Sequence, residues 1–284
     1  MLIDSKIIDE AFDFYSIDEK YKEKCYKCAE EINNNEIFKK SFERLYEILY
    51  YGEFSKVKEL WNIKEINKLF DNDTNYFATN LMIVLGYEFH KNNMKKYKFD
   101  EYQVNIHKKR VRECFENDLI YRKYDGVRIS QMLWATYFIR VKIIEIGRLQ
   151  YECFSTTDNI YIIKMHIPKG SKLDINSVKK SINDSKTILK DIFNINNVKY
   201  ICNSWLLSNQ IYKIIDEDTN ISKFHALFNV EDGDDCISDI LNFVYEIDKC
   251  DDYNELPEKT SLQKKIKKQL LNGKKFYLGL GVLK

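Results

Sequence analysis

Residues 160–174 read IYIIKMHIPKGSKLD, an apolar run that ends at a proline–glycine turn and leads into a helical pattern. The run 160–167 is short and apolar enough to predict a central β-strand. Pro168 forces the residue before it into an extended conformation and so ends the strand. Asp174 is a suitable N-cap for the helix that follows. The stretch therefore predicts a strand–turn–helix unit.

The turn in this unit has two interpretations. Gly170 tolerates backbone angles that other residues avoid and lets a ligand approach the chain closely. The helix behind it presents unpaired N–H groups at the positive end of its dipole, and Lys169 and Lys172 add positive charge. A phosphate could therefore bind here. However, neither G-x-x-x-x-G-K-[ST] nor G-x-G-x-x-G occurs at this turn, and the local sequence by itself favours a structural connection.

A second strand precedes the first one along the chain. In GRLQYECF (147–154) polar and apolar residues alternate, so Arg148, Gln150 and Glu152 share one side of the strand. These three side chains face either solvent or a covered cleft, in which case they need partners or a ligand. The remaining pattern predicts further strands at 198–202, 221–230 and 275–283, and helices that begin near 175, 205, 237 and 260.

Local motifs mark the ends of two of these helices. Ser204 or Asn203 fits the cap of the helix near 205. Thr260 and Gln263 fit a capping box at the start of the last helix, and Gly273 fits its C-cap.

The first half of the chain has a different texture. Up to residue 140 it contains no proline and only three glycines, and its apolar residues recur at intervals of three and four. This pattern is typical of helices. We therefore predict an α+β protein with an all-helical N-terminal domain (1–140) and a C-terminal domain (141–284) whose elements follow the order β-β-α-β-α-β-α-α-β.

Composition excludes several classes of function. The chain has 45 basic and 44 acidic residues and a net charge of +1, which argues against a nucleic-acid-binding protein. Neither a transmembrane stretch nor a signal peptide is apparent, so we expect no membrane partner. Seven cysteines at irregular spacing fit reduced thiols, and we expect a cytoplasmic location.

Metal chemistry finds little support in the sequence. Cys25 and Cys28 form a C-x-x-C pair, but no matching Cys or His pair follows at a spacing that would complete four zinc ligands. We therefore expect no metal site. No G-x-S-x-G, H-E-x-x-H or kinase signature occurs either.

A few residues near the predicted strand ends have reactive side chains. His166 lies beside the turn and is a natural general acid or base, although a buried structural histidine is the alternative. Cys202 is either a nucleophile or a buried small hydrophobe. Ser204 fits a helix cap, and Trp205 fits a core anchor.

Several segments together resemble a bacterial family of acyltransferases. Its members join a helical N-acyltransferase-type domain to a GNAT-like C-terminal domain. The resemblance extends over roughly residues 120–284. It rests on GRLQYE (147–152), HIPKGSKLD (166–174), CNSWLL (202–207), TNISKFHALFNV (219–230) and LPEKTSLQKKIKKQLL (256–271).

The resemblance implies a cosubstrate and a GNAT-like fold, in which a mixed, splayed β-sheet is flanked by helices. In GNAT enzymes acyl-CoA enters where two central strands of the sheet part, and its pyrophosphate binds backbone amides of the loop after the first of them. Acetyl-CoA or another acyl-CoA is thus the expected cosubstrate. The loop residues expected to bind it are Ile167, Lys169, Gly170, Ser171 and Lys172. The loop departs from the usual [QR]-x-x-G-x-[GA] signature, because it offers a single glycine.

The resemblance also implies direct N-acyl transfer from acyl-CoA to a small-molecule or peptide amine. His166 or Glu152 is the expected general base, and Ser204 is the expected proton donor. A covalent route through Cys202 is less favoured, because direct transfer needs no nucleophile on the enzyme. The expected substrate-binding residues are Arg148, Gln150 and Trp205.

Two other functions stay open at this point. One is a non-catalytic GNAT-like module that binds CoA or a related ligand, which the unusual phosphate loop favours. The other is an interaction protein in which the sheet is a scaffold and the helical half carries an exposed apolar patch.

Overall fold

The structure is a computed structural model that describes residues 3–52, 77–121, 129–153, 160–170, 172–247 and 249–284. The chain divides into two compact units, Met1–Ile144 and Glu145–Lys284. The division predicted after residue 140 stays a proposal for the limits of the folding domains. In the described part of the chain, no helix has the length and apolar composition needed to cross a bilayer.

The first unit is helical, as predicted. Two of its described helices begin at side-chain caps: Asp4 accepts a hydrogen bond from the Lys6 amide, and Asn35 accepts from the amides of Ile37 and Phe38. The helices are α1 (Ser5–Tyr15), a 3₁₀ turn (Glu19–Tyr21), α2 (Lys22–Asn34), α3 (Glu36–Tyr50), α4 (Phe77–Leu85), α5 (Tyr87–Lys96), α6 (Glu101–Tyr121) and α7 (Ile129–Ile139).

Two histidines lie inside the apolar core of this unit. His90 and His107 are fully buried. The Tyr15 hydroxyl lies 3.1 Å from His90 Nδ1, and His90 Nε2 lies 3.4 Å from His107 Nδ1. A chain of three polar side chains thus crosses a core that is otherwise built from residues such as Phe12, Phe115 and Phe138.

The second unit contains most of a six-stranded mixed sheet. Its order is β1-β2-β3-β4-β6-β5, with β3 and β4 parallel and β2–β3, β4–β6 and β6–β5 antiparallel. The strands are β1 (Ile143–Ile146), β2 (Leu149–Cys153), β3 (Tyr161–His166), β4 (Val198–Ser204), β5 (Phe228–Asp235) and β6 (Tyr277–Leu283). The helical segments are α8 (Ile175–Phe193), a 3₁₀ turn (Trp205–Leu207), α9 (Asn209–Tyr212), α10 (Asn220–His225), α11 (Ile237–Ile240), a π-helical segment (Leu241–Tyr245), a 3₁₀ turn (Tyr253–Glu255) and α12 (Ser261–Leu271).

The local signals around β3 and α12 are confirmed. The Asp174 carboxylate caps α8 by accepting from the Ser177 amide at 2.8 Å. Thr260 and Gln263 form a capping box at the start of α12. Gly273 follows this helix with φ +71°, as expected just beyond a helix end.

The strand predicted at 221–230 is wrong in its first half. Residues Asn220–His225 form α10, and β5 begins only at Phe228. The Thr219 hydroxyl accepts a hydrogen bond from the Ser222 amide and so starts a helical turn. In that turn Phe224 is fully buried, so the apparent alternation along 224–230 joins residues of a helix to residues of a strand.

Strand β1 was not predicted. Its four residues, IIEI, are too short and too uniformly apolar to show a period of two, and they follow a helical pattern without a breaker. Glu145 in this strand is buried and accepts a hydrogen bond from Gln150 on the neighbouring strand β2.

Candidate active site

The two parallel strands at the centre of the sheet part before they end. The ladder between β3 and β4 joins Tyr161–Lys164 to Val198–Ile201 and goes no further. Strand β3 continues to His166 along β2, while β4 continues to Ser204 along β6. An opening therefore forms between the carboxyl ends of β3 and β4, because β3 there pairs only with β2 and β4 pairs only with β6.

Register assigns each side chain near the opening to one face of the sheet, because paired residues point to the same side. On one face Tyr151 and Tyr200 point toward α8, where they hydrogen-bond to Ser181 and Ser185. We call the opposite face the polar face. It carries Gln150, Glu152, Lys164, His166, Lys199, Ile201 and Asn203.

His166 and Glu152 meet on the polar face. Nε2 of His166 lies 2.7 Å from Oε2 of Glu152. The carboxylate is buried, with 5% of its side chain exposed, whereas 20% of the His166 side chain is accessible. Because a carboxylate only accepts, Nε2 carries the proton, and in the neutral ring the lone pair lies on Nδ1. The sequence predicted these residues as alternative bases, and the structure makes them a pair.

The other polar residues of β2 also have partners. Gln150 is buried and donates through Nε2 to Oε2 of Glu145 at 2.7 Å. The sequence left two environments open for Arg148, Gln150 and Glu152, namely solvent or a covered cleft. In the structure all three side chains are buried. Glu145 was not singled out from the sequence, and Asn203 was considered there only as a helix cap beside Ser204. The register of β4 against β3 places Asn203 on the face of His166.

Arg148 lies against the loop that follows β3. Its Nε donates to the carbonyl of Lys172, and its Nη1 donates to the carbonyl of Pro168, both at 3.0 Å. Arg148 is also buried, at 9% exposure. These bonds turn two loop carbonyls toward Arg148 and so restrict the orientation of the neighbouring loop amides.

The loop itself is tied down at several points. Gly170 has φ +121°, a backbone conformation that glycine adopts without steric cost. Lys169 Nζ lies 2.7 Å from Oε1 of Glu246 in an exposed ion pair, which lowers the pKa of the Glu246 carboxyl. Ile167 is half-buried and Lys172 is exposed, while Ser171 lies outside the described residues. The Asp174 cap occupies one first-turn amide of α8, so an anion here would depend more on the amides of the loop.

The comparison with protein families bears on this half of the chain. A family model for a GNAT-like C-terminal domain matches residues 143–283. Residues 143–283 are a GNAT-like C-terminal domain.

Solved structures share the fold of the chain. One is a crystal structure of an acyltransferase in complex with decanoyl-CoA, with a TM-score of 0.73, 18% identity, and coverage of 97% of this chain and 87% of that chain. A second is an acyltransferase mutant in complex with octanoyl-CoA (TM-score 0.72, 16% identity, 100% and 89% coverage). A third is an acyltransferase in complex with decanoyl-CoA and teicoplanin (TM-score 0.71, 17% identity, 97% and 86% coverage). A search of curated proteins finds no significant match.

Three further residues of the GNAT-like domain lie where β4 ends. The Ser204 hydroxyl accepts from the Leu206 amide at 3.1 Å and caps the 3₁₀ turn, as predicted for a cap. Trp205 packs against the apolar cluster of this domain. Cys202 is fully buried on the α8 side of the sheet, opposite His166, and burial raises the pKa of its thiol to about 12. A thiol in this setting is a poor nucleophile.

Metal-binding side chains do not cluster in the described part of the chain: no group of three or more His, Cys, Asp or Glu residues there could hold a metal ion. Cys25 and Cys28 are both buried on α2, and burial raises the pKa of the Cys28 thiol to about 12.

Proposed function

We propose that this chain is an acyl-CoA-dependent N-acyltransferase that acts by direct transfer to a small-molecule or peptide amine. The observation that carries the proposal is the opening between β3 and β4 with the His166–Glu152 pair at its edge. Supporting it are the GNAT-like match over residues 143–283 and the shared fold with acyltransferases that hold acyl-CoA.

In this proposal His166 is the general base. Its Nδ1 takes a proton from the amine, because the hydrogen bond to Glu152 keeps Nε2 protonated. Glu152 is a positioning residue that orients the ring and stabilises the imidazolium that forms. The buried carboxylate is well suited to this role, since an opposite charge in a poorly solvated site interacts strongly with it.

The remaining steps close the balance of the reaction. The amine nitrogen forms a bond to the thioester carbonyl carbon, the carbon–sulfur bond breaks, and the sulfur leaves with the electron pair. The sulfur then takes up a proton, for which we propose the Ser204 hydroxyl as the source. Ser204 regains a proton from solvent and the His166 imidazolium releases its proton to solvent, so both side chains return to their starting states. The products are an amide and the free thiol of CoA.

We propose the loop after β3 as the binding site for the pyrophosphate of acyl-CoA. Gly170 gives the loop its conformation, and Arg148 holds two of its carbonyls away from the ligand side. Backbone amides that point into a turn of this kind form a concave site for anions. Arg148 would then act on the cosubstrate through the loop, whereas Gln150 and Trp205 remain proposed contacts of the acceptor.

The alternative is a module that binds CoA or a related ligand without catalysis. Two features of the loop favour it. The loop has a single glycine, and Lys169 forms an ion pair with Glu246. Turnover distinguishes this alternative from the enzyme.

The first test is thermal unfolding of the purified chain with CoA, acetyl-CoA and octanoyl-CoA. Ligand at 100 times Kd should raise the free energy of unfolding by about 2.7 kcal/mol, which corresponds to a shift of several degrees. The double variant Lys169→Glu/Lys172→Glu should lose the shift. Lys180→Glu is the matched control, because Lys180 is an exposed lysine paired with Asp184 on α8.

The second test is release of the CoA thiol from octanoyl-CoA in the presence of amines. Amine-dependent release supports the enzyme, and a thermal shift without release supports the binding module. The absence of a shift with all three compounds, together with the absence of release, would contradict both.

A further inference from the structure

A cavity of about 680 Å³ lies on the polar face of the sheet, over β4, β6 and β5. Its lining includes Lys199, Ile201 and Asn203 from β4, Leu280 from β6, and Asn229 and Glu231 from β5. A volume of this size lies within the range of small-molecule sites. None of its lining residues belongs to the loop after β3 or to the His166–Glu152 pair.

Register makes this cavity continuous with the opening between β3 and β4. Asn203 pairs with Leu280, and Leu280 pairs with Glu231, so the three side chains form one row across the sheet. Lys164 of β3 pairs with Ile201 of β4. His166 lies two residues beyond Lys164, and Asn203 lies two residues beyond Ile201, so both are on the polar face, on opposite sides of the opening. The row therefore leads from the general base directly into the cavity.

The four polar side chains of the cavity are exposed, and no other residue in the described part of the chain engages them. Lys199, Asn203, Asn229 and Glu231 make no side-chain hydrogen bond or ion pair with any other described residue. On the β2 side of the same face, by contrast, Glu152 is held by His166. The polar groups of β2 on this face thus form hydrogen bonds within the protein, whereas those that line the cavity are available to a ligand.

We propose that this cavity binds the acceptor, and that the acceptor is a compact polar amine carrying hydroxyl or amide groups. This inference rests on the proposed acyl transfer. Glu231 supplies a carboxylate that accepts hydrogen bonds from hydroxyl or amide groups of the acceptor away from its reacting amine, and Asn203 and Asn229 supply amides that both donate and accept. Leu280, which is 37% exposed, contributes an apolar surface at the middle of the row.

This arrangement also excludes a class of acceptor. A long alkyl amine would cover the four uncommitted polar groups without offering them partners, which costs binding energy. An amino sugar or a short peptide amide has hydrogen-bonding groups for the two asparagines. The acceptor amine would lie on the polar face beside Asn203, and the acyl group of the cosubstrate would reach it through the opening.

The test uses the full chain with octanoyl-CoA as donor and glucosamine, Gly-Ser-amide and octylamine as acceptor probes. Amide product is measured by mass spectrometry and CoA release by thiol assay. We expect the first two amines to be acylated in preference to octylamine. Glu231→Gln should raise the KM for the amine about tenfold and leave kcat and the KM for octanoyl-CoA unchanged. Asp234→Asn on the same strand is the matched control, because Asp234 is exposed and outside the cavity lining.

Leu280→Trp provides a second, independent variant, because a larger side chain fills the cavity. It should abolish amine-dependent CoA release while the thermal shift with octanoyl-CoA is retained, which also shows that the variant is folded. Unchanged amine KM in both variants would overturn the inference and leave the acyltransferase proposal intact. A preference for octylamine would overturn the proposed acceptor class and leave the acyltransferase proposal intact. Octanoyl-CoA binding without acylation of any probe, or no octanoyl-CoA binding by the unmodified chain, would instead remove the proposed function.

Discussion

Lowering the pH from 7 to 5 should destabilise the protein through the two histidines buried in its helical unit. Burial lowers the pKa of His107 to about 3, against a smaller opposite effect of the Phe138 backbone. Burial, and next the charges of His107 and Lys108, also lower the pKa of His90 well below its ordinary value. Both histidines are therefore neutral in the folded state at pH 7, and the Tyr15 hydroxyl bonded to His90 fits that state.

The sign and size of the effect follow from proton linkage. In the unfolded chain each histidine has a pKa near 6.5. For His107, the unfolded state thus binds a proton between pH 6.5 and about 3 that the folded state does not, and stability falls as pH falls. This proton is worth about 1.4 kcal/mol per pH unit, or about 2 kcal/mol at pH 5, and His90 adds a loss in the same direction. Above pH 6.5 neither histidine contributes a slope. For a protein with a total stability of about 5–15 kcal/mol the joint loss is large.

Urea denaturation at pH 7, 6 and 5 measures this loss directly. His107→Leu removes one titrating group, so we expect it to reduce the fall in free energy of unfolding between pH 6.5 and 5 by about 2 kcal/mol. The absolute stability at pH 7 is less informative, because the variant also removes a partner of His90. His225→Gln is the control: His225 is only half-buried, although burial also lowers its pKa, so its effect on the slope should be smaller. An unchanged slope in His107→Leu would refute the reasoning.

Three further predictions concern the GNAT-like domain. His166→Gln should lower the rate of acyl transfer about 10²- to 10⁴-fold, and Glu152→Gln should lower it less. Both variants should keep the thermal shift with octanoyl-CoA, and full activity of both in the thiol assay would remove the pair from the mechanism. Gly170→Ala should weaken acyl-CoA binding several-fold in calorimetric titrations, because a side chain at φ +121° adds backbone strain of about 1–3 kcal/mol. A clash is not the cause, since an added Cβ meets nothing within 4 Å, and an unchanged Kd would show that this conformation is not required. Gly279→Ala should lower the unfolding temperature strongly, because its Cβ would overlap a backbone carbonyl of a neighbouring turn. The Cβ of Gly273→Ala meets no neighbour, so this variant should cost only the strain of its positive φ, and equal losses in the two variants would contradict this packing.

The fold was largely predictable because its main signals are local. Asp174 lies directly before its helix, and Thr260 and Gln263 stand three residues apart in a capping box, so each motif acts within one turn. The helical half follows from spacing and the scarcity of breakers in the same way. The prediction failed at 221–230 because a six-residue helix beside a strand contains too few residues to show either period clearly.

The candidate site was predictable as a set of residues and not as an arrangement. The sequence identified His166 and Glu152 separately, but their contact depends on the register of β2 against β3. Arg148 was expected at a substrate, and its two bonds to the loop carbonyls require the loop to fold back over β2. The sequence offered Asn203 only as a helix cap and did not indicate Glu231, because their place in one row with Leu280 depends on the pairing of three strands.

By itself, the sequence determined the helical first half, the strand–turn–helix unit of residues 160–174, and the caps that begin α8 and α12. These features depend on propensities and hydrogen bonds between residues that are close along the chain. Only the tertiary structure decided that β3 and β4 part after Lys164 and Ile201, that Glu152 contacts His166, and that β4, β6 and β5 line a cavity. Strand pairing joins residues far apart in sequence, and a shift of one residue in register would turn every one of these side chains to the other face of the sheet.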